Sequence, residues 1–269
     1  MIVITDKKIQ DSKRQAILFH LLKELEIENI KDFQRRNKLL VDGLFGLKSY
    51  AKLYNSFLKV QEHDFEGHYF KKIYKKSQIV WHHSAGWDDS KKMYNSWIYD
   101  GVRHVATPIG IQDNGLVTKG YDESHWAYHI GLGLTNLEHS SVGVEVSNWG
   151  ALEEREGVLY TWVGDYGKRG RAVTLPYEKA IEINYKGIKF FEVYTDQEIK
   201  ALKYWTLLNA MRFDIPLAYS HDNMWKQSSD AINGVPGVYT HNSYISWKSD
   251  VSPQPKLIQM AESLSDYEK

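Results

Sequence analysis

The sequence predicts an α/β body with a mixed central sheet flanked by helices, preceded by a small three-helix all-α unit. Three observations lead there. The chain has 269 residues, more than one typical domain and fewer than two large ones. Its charge is uneven: residues 1–76 carry 16 Lys/Arg against 10 Asp/Glu, and the remainder carries 18 against 24. The hydrophobic period also changes near Gln78, from helical spacing to alternation.

Taken in order, Ser12 reads as an N-cap before Ile17, Leu18, Leu21, Leu22 and Leu25 at helical spacing. A short helix follows from Ile30 to Asn37, with Ile30 and Phe33 inward. A turn at Val41-Asp42-Gly43-Leu44-Phe45-Gly46 offers two glycines for positive φ. A third helix runs over Leu47 to Leu58. Three such helices are marginal on their own. The expected divisions are a helical unit at 1–59, a charged linker at 60–77 and a body at 78–269. Within the body, Ile79-Val80-Trp81 reads as a strand leading into His82-His83. Val105 to Ile111, Asp113-Asn114-Gly115 and Leu116-Val117-Thr118 read as a hairpin. Val142 to Val146 is another strand, and 150–194 an irregular β-rich insertion. Thr195 and Glu198 form a capping box that opens a helix burying Ile199, Leu202, Trp205 and Leu208.

Composition removes several function classes. Lys+Arg and Asp+Glu are both 34, so no overall field points to nucleic acid or a membrane surface. No apolar run approaches the ~18–20 residues that cross a bilayer. The N-terminus lacks the basic-then-apolar order of a secretory signal, which favours synthesis in a cytoplasm. Cysteine is absent, so disulfides, thiolate ligands and cysteine nucleophiles are excluded. Any metal must be held by His and carboxylate, and there are 11 His to draw on.

Catalytic zinc needs three protein ligands and an open position. Neighbouring side chains on a strand face opposite ways, so His82 and His83 supply one ligand at most. His241 and Asp250, separated by one loop, can meet across it, with Lys248 beside them.

These pieces fall in a recognisable order. Ile79-Val80-Trp81-His82-His83-Ser84-Ala85-Gly86 resembles the "V-x-H-x-S/T-A" strand of zinc-dependent N-acetylmuramoyl-L-alanine amidases, the type shared by phage lysins and peptidoglycan recognition proteins. Thr107 through Gly115 resembles that family's "H-Y-V-I-D-R-D-G" hairpin, and Trp126 through Gly131 its "A-W-H-A-G" turn. Ser141-Val142-Gly143-Val144-Glu145 resembles its "S-I-G-I-E" strand, and His241 through Lys248, Asp250 and Pro253 its closing "G-H…K-x-D-P-x-P" segment. The resemblance implies one catalytic Zn2+ held by His82, His241 and Asp250. It implies Glu145 as the group acting on the attacking water and Lys248 as the one steadying the oxyanion. The implied reaction cuts the amide between N-acetylmuramic acid and L-alanine in peptidoglycan.

The hairpin departs from the pattern: Thr107 and Pro108 stand where the family often presents Tyr or His to the metal, so that role is unassigned, with His129 or Tyr128 to share it, and His129, Tyr128 and Thr107 are all expected behind the ligands or along the substrate cleft. The front helices resemble the "F-Q-x-x-x-G-L-x-V-D-G-x-x-G-x-x-T" signature of three-helix peptidoglycan-binding domains. That likeness runs through Phe33, Gln34, Asp42, Gly43, Gly46 and Tyr50, with Ser49 in place of the threonine. Together these imply a monomeric phage endolysin, made in the host cytoplasm and acting on the wall after release. An inactive peptidoglycan-binding protein and a virion-associated wall-degrading component are the alternatives.

Overall fold

A computed structural model describes residues 12–86, 88–99, 104–161 and 173–269. Helices α1 (Ser12–Glu24), α2 (Ile30–Arg36) and α3 (Leu47–Phe57) come first, within two residues of the predicted bounds. The Asn29 side chain caps α2 by accepting from the Asp32 amide. Gly43 takes the predicted positive φ, +78°, but Gly46 does not: at φ −94° it is the extended N-cap of α3.

Strands β1 (Val60–Glu62), β2 (Gln78–His83), β3 (Ile109–Ile111), β4 (Val117–Lys119) and β5 (Ser141–Val146) follow, with helices α4 (Ser90–Tyr99) and α5 (Thr135–Ser140) between them. The insertion supplies β6 (Ala151–Arg155), β7 (Val158–Thr161), β8 (Thr174–Leu175), β9 (Ala180–Tyr185) and β10 (Ile188–Glu192). Helices α6 (Asp196–Phe213), α7 (His221–Trp225) and α8 (Ser229–Ile232), strand β11 (Gly237–Thr240) and helix α9 (Pro255–Ser263) complete the chain.

The central sheet has the order β1-β4-β3-β5-β2-β11 and is mixed: β3, β5, β2 and β11 run parallel, while β4 is antiparallel to β3. Period-two alternation sorts its faces. Ile79 and Trp81 of β2, with Val142, Val144 and Val146 of β5, join the cluster beneath α6, where the Trp81 indole donates to Thr206 Oγ1 at 3.1 Å. Val80 points the other way, into a separate cluster with Ile130 and Tyr244. The capping box opens α6 as predicted: the Glu198 amide donates to Thr195 Oγ1 at 3.1 Å, and the Thr195 amide to Glu198 Oε2 at 2.7 Å.

Two divisions of the chain differ from expectation. Residues 60–77 are not a linker. Val60–Glu62 is an edge strand paired in parallel with β4, Phe65 is buried against Tyr94, Phe70 stacks on Trp126, and buried Lys76 donates to the His139 carbonyl at 2.9 Å. Their charges hide a sparse apolar set that the sheet edge recruits. Nor are the front helices set apart, for Ile17, Phe33 and Leu53 belong to one cluster with Trp205 and Leu208 of α6. Each fully buried side chain of this kind stabilises by roughly 1.5–3 kcal/mol, and much of that needs α6 as the other wall. The insertion is more regular than expected: its described strands form a five-stranded sheet of order β8-β7-β6-β10-β9, antiparallel throughout.

Candidate metal centre

Strands β2 and β5 pair in register, with His82 opposite Glu145. Both therefore leave the sheet on the same face, away from α6. His83 goes to the other side: its Nδ1 lies 3.2 Å from Tyr194 Oη, and its ring packs where a Cβ on Gly150 would stand. The strand delivers one of its two histidines, as alternation requires.

His241 enters from the turn after β11, and Asp250 from the end of the following loop. Asn242 cinches that loop, its amide donating to the Asp250 carbonyl at 3.2 Å and its side chain to the Val251 carbonyl at 2.9 Å. Three atoms converge as a result. His82 Nδ1 lies 3.1 Å from His241 Nδ1, while Asp250 Oδ2 lies 2.8 Å from His241 Nδ1 and 3.6 Å from His82 Nδ1. Donors about 2.0–2.1 Å from one tetrahedral ion would stand roughly 3.3 Å apart, so the spacing fits a metal. All three residues are buried.

The proton positions fit as well. His241 Nε2 lies 2.9 Å from the Ile130 carbonyl, which only accepts, so His241 carries its proton there and its Nδ1 presents a lone pair. His82 is fixed by a longer chain: Ser141 Oγ donates to the Glu138 carbonyl at 3.5 Å, His129 Nε2 to Ser141 Oγ at 2.8 Å, and His82 Nε2 to His129 Nδ1 at 3.0 Å. His82 Nδ1 is then bare too. Burial pushes the His82 and His129 imidazoles down to about 3, keeping both neutral. Two lone pairs and a carboxylate facing one point call for a cation. This donor set suits zinc.

Glu138 anchors the arrangement, and nothing in the sequence motifs singled it out. Its buried carboxylate accepts from the amides of His129 at 2.8 Å, Ile130 at 3.1 Å and Gly131 at 3.1 Å. The held segment supplies both the His129 ring behind His82 and the Ile130 carbonyl behind His241. Gly143 makes room for it: a Cβ there would stand 3.0 Å from His129 Nδ1 and 2.7 Å from Thr107 Cγ2.

The three donors open on a cavity of 410 Å³ that also reaches Glu145, Lys248 and Trp247. Glu145 Oε2 is buried without a hydrogen-bond partner among the described residues. Burial, and next the Asp250 charge, push its carboxyl well above the usual range, while Lys248 opposes them. The Lys248 loop is pinned from the insertion. At the β9–β10 turn, the Lys186 ammonium donates to Asn242 Oδ1 and the Ser246 carbonyl at 2.8 Å each, and to the Lys248 carbonyl.

Other expected site residues lie elsewhere. Of His129, Tyr128 and Thr107, only His129 reaches the cavity. Thr107 is buried, donating to the Ile109 carbonyl at 2.9 Å, and Tyr128 packs edge-on against Phe70 and Trp126. The front-helix signature is taken up in packing. Phe33 is core, and Gln34 donates to Asp42 Oδ1 at 2.7 Å and accepts from the Gly43 amide at 2.9 Å. Gly46 caps α3, and Tyr50 is buried with its hydroxyl 3.5 Å from the Leu208 carbonyl.

No protein-family model and no curated protein sequence matches this chain. Solved structures do. N-acetylmuramoyl-L-alanine amidase LysC from Clostridium intestinale is 11% identical, with a TM-score of 0.46 over 77% of this chain and 97% of its own. The Staphylococcus aureus hydrolase AmiA, solved with its ligand, is 9% identical, with a TM-score of 0.42 over 78% and 82%. The amidase AmiD from E. coli, solved with a muropeptide substrate, is 18% identical, with a TM-score of 0.34 over 57% and 51%. LysC and AmiD are by name N-acetylmuramoyl-L-alanine amidases.

Proposed function

We propose that this chain is a zinc-dependent N-acetylmuramoyl-L-alanine amidase that hydrolyses the bond between N-acetylmuramic acid and L-alanine in peptidoglycan. The observation that carries the reading is the convergence of two imidazole lone pairs and a carboxylate beside an unpartnered buried glutamate. His82, His241 and Asp250 would hold the metal. Zinc bound there supplies Lewis acidity, polarising an amide carbonyl and acidifying water.

The rest falls to the chain's own groups. Glu145, ionised once a cation is bound beside it, takes a proton from the water that attacks the amide carbon and returns it to the departing L-alanine nitrogen. A carbon–oxygen bond forms and the carbon–nitrogen bond breaks, so no redox partner is needed. The Lys248 ammonium faces the charge that develops on the carbonyl oxygen. His129 and the Ile130 carbonyl orient His82 and His241. In this reading the enzyme is a phage endolysin, made in the host cytoplasm and meeting the wall at lysis.

Digestion of purified peptidoglycan, read by mass spectrometry with a chelated control, tests the reading. New L-alanine amino termini on intact glycan strands, lost on chelation and restored by zinc, are expected. Zinc binding without cleavage would point to a peptidoglycan-binding protein, and cut glycan strands would overturn the amidase assignment.

A further inference from the structure

A second cavity, of 510 Å³, lies between the insertion sheet and the rim of the central sheet. It adjoins the metal cavity along one short segment, with Ser84 and Ala85 lining one space and Gly86 the other. Part of its wall is apolar, from Trp149, Leu175 and Val193.

The rest is acidic. Asp88, Asp113, Glu192 and Glu198 all line it, against Lys179 as the one cation among the described lining residues. The main carboxylates each spend one oxygen on a backbone amide: Glu198 Oε2 accepts from Thr195 at 2.7 Å, Glu192 Oε2 from Trp149 at 2.5 Å, and Asp88 Oδ1 from Asp113 at 2.8 Å. Glu198 is 1% exposed, and its Oε1 is buried with no hydrogen-bond partner among the described residues. Burial pushes the Glu198 carboxyl up to about 8 and Glu192 up to about 7. Such groups gain by a counter-charge. A metal ion does not fit: among the described residues only His82, His241 and Asp250 bring three donors within 4.8 Å of one another. An apolar wall beside buried carboxylates suits a cationic head on an aliphatic stem.

We propose that this cleft binds a primary ammonium carried on an aliphatic side chain of a peptide, with Glu198 and Glu192 as its counter-charges. On the amidase reading, on which this identity rests, the peptide is the wall stem peptide and the ammonium belongs to its diamino residue. The insertion then selects for a free amine at a position away from the cut bond.

The test is calorimetric titration of the zinc-loaded full chain with the tripeptide L-Ala-γ-D-Glu-L-Lys and with its Nε-acetylated form, in two buffers of different ionisation enthalpy. The free amine should bind about tenfold or more tightly, with protons released at neutral pH as the two carboxyls ionise. Glu198→Gln, which can keep the cap on α6, and Glu192→Gln should each abolish that preference while zinc content holds and the melting temperature does not fall. Equal affinity for the two peptides, or a preference that survives both substitutions, would overturn the proposal. Muropeptide cleavage without amine preference would sink the cleft and leave the amidase standing. Amine preference without cleavage would do the reverse.

Discussion

His82 and Glu145 are register partners on adjacent parallel strands, so a single pleat sets a candidate metal donor beside a carboxylate with no hydrogen-bond partner among the described residues. Glu145→Gln keeps the shape and removes the proposed base. Hydrolysis should fall by about 10²–10⁴-fold with zinc content unchanged, measured on a soluble muropeptide. Normal turnover in that variant would remove Glu145 from the chemistry.

Asp250 brings the negative charge to the three donors, and His82 is locked by its bond to His129. Replacing either His82 or Asp250 with Ala should abolish stoichiometric zinc on dialysis, read by atomic emission, along with activity.

His129 touches only the far nitrogen of His82, so its removal should weaken rather than abolish the site. His129→Ala is expected to lower zinc affinity by about 10–100-fold. Gly143→Ala should act the same way, because its methyl would meet His129 Nδ1 and Thr107 Cγ2. Unchanged competition against a chelator in both variants would refute this account of the His129 chain.

Lys186 holds the Lys248 loop by three hydrogen bonds from outside the cavity. Lys186→Met should lower kcat more than it raises KM and leave zinc bound, while Lys186→Arg should recover part of the loss. A purely structural role would instead appear as a lower melting temperature with unchanged kcat.

The pH dependence of stability follows from the acidic cleft. Glu198 is raised from 4.5 to about 8 and Glu192 from 4.5 to about 7 by burial, so the folded state holds these protons more tightly than the unfolded one. Their contribution is fully present below the unfolded value and is lost as pH rises through the folded values. Urea-unfolding free energy should therefore decline between about pH 5 and pH 8, by on the order of a few kcal/mol, and Glu198→Gln should flatten the decline.

Removing the three front helices strips α6 of one wall, since Trp205 and Leu208 share a cluster with Ile17 and Leu53. The truncated chain should melt well below the full one and lose activity on small soluble substrate as well as on wall. An unchanged melting temperature would mark the helices as an independent unit.

The local features are legible in the order of residues alone. The Thr195–Glu198 box starts α6 where predicted, alternation sends His82 and His83 to opposite faces, and the absence of cysteine limits the donors to nitrogen and oxygen. Each of these is settled within a few residues, by backbone geometry or by composition. Only the tertiary structure decided the rest. Residues 60–62 read as polar linker because their partner strand lies at 117–119, and an edge strand needs backbone pairing more than apolar side chains. No sequence motif marked Glu138, and only the fold set its oxygens against the amides of 129–131. The front-helix signature pointed to wall binding, whereas Gln34 and Asp42 spend their polar atoms closing their own loop. Periodicity records which way a side chain points; which distant strand, carbonyl or carboxylate it meets depends on how the sheets and helices close around a shared core.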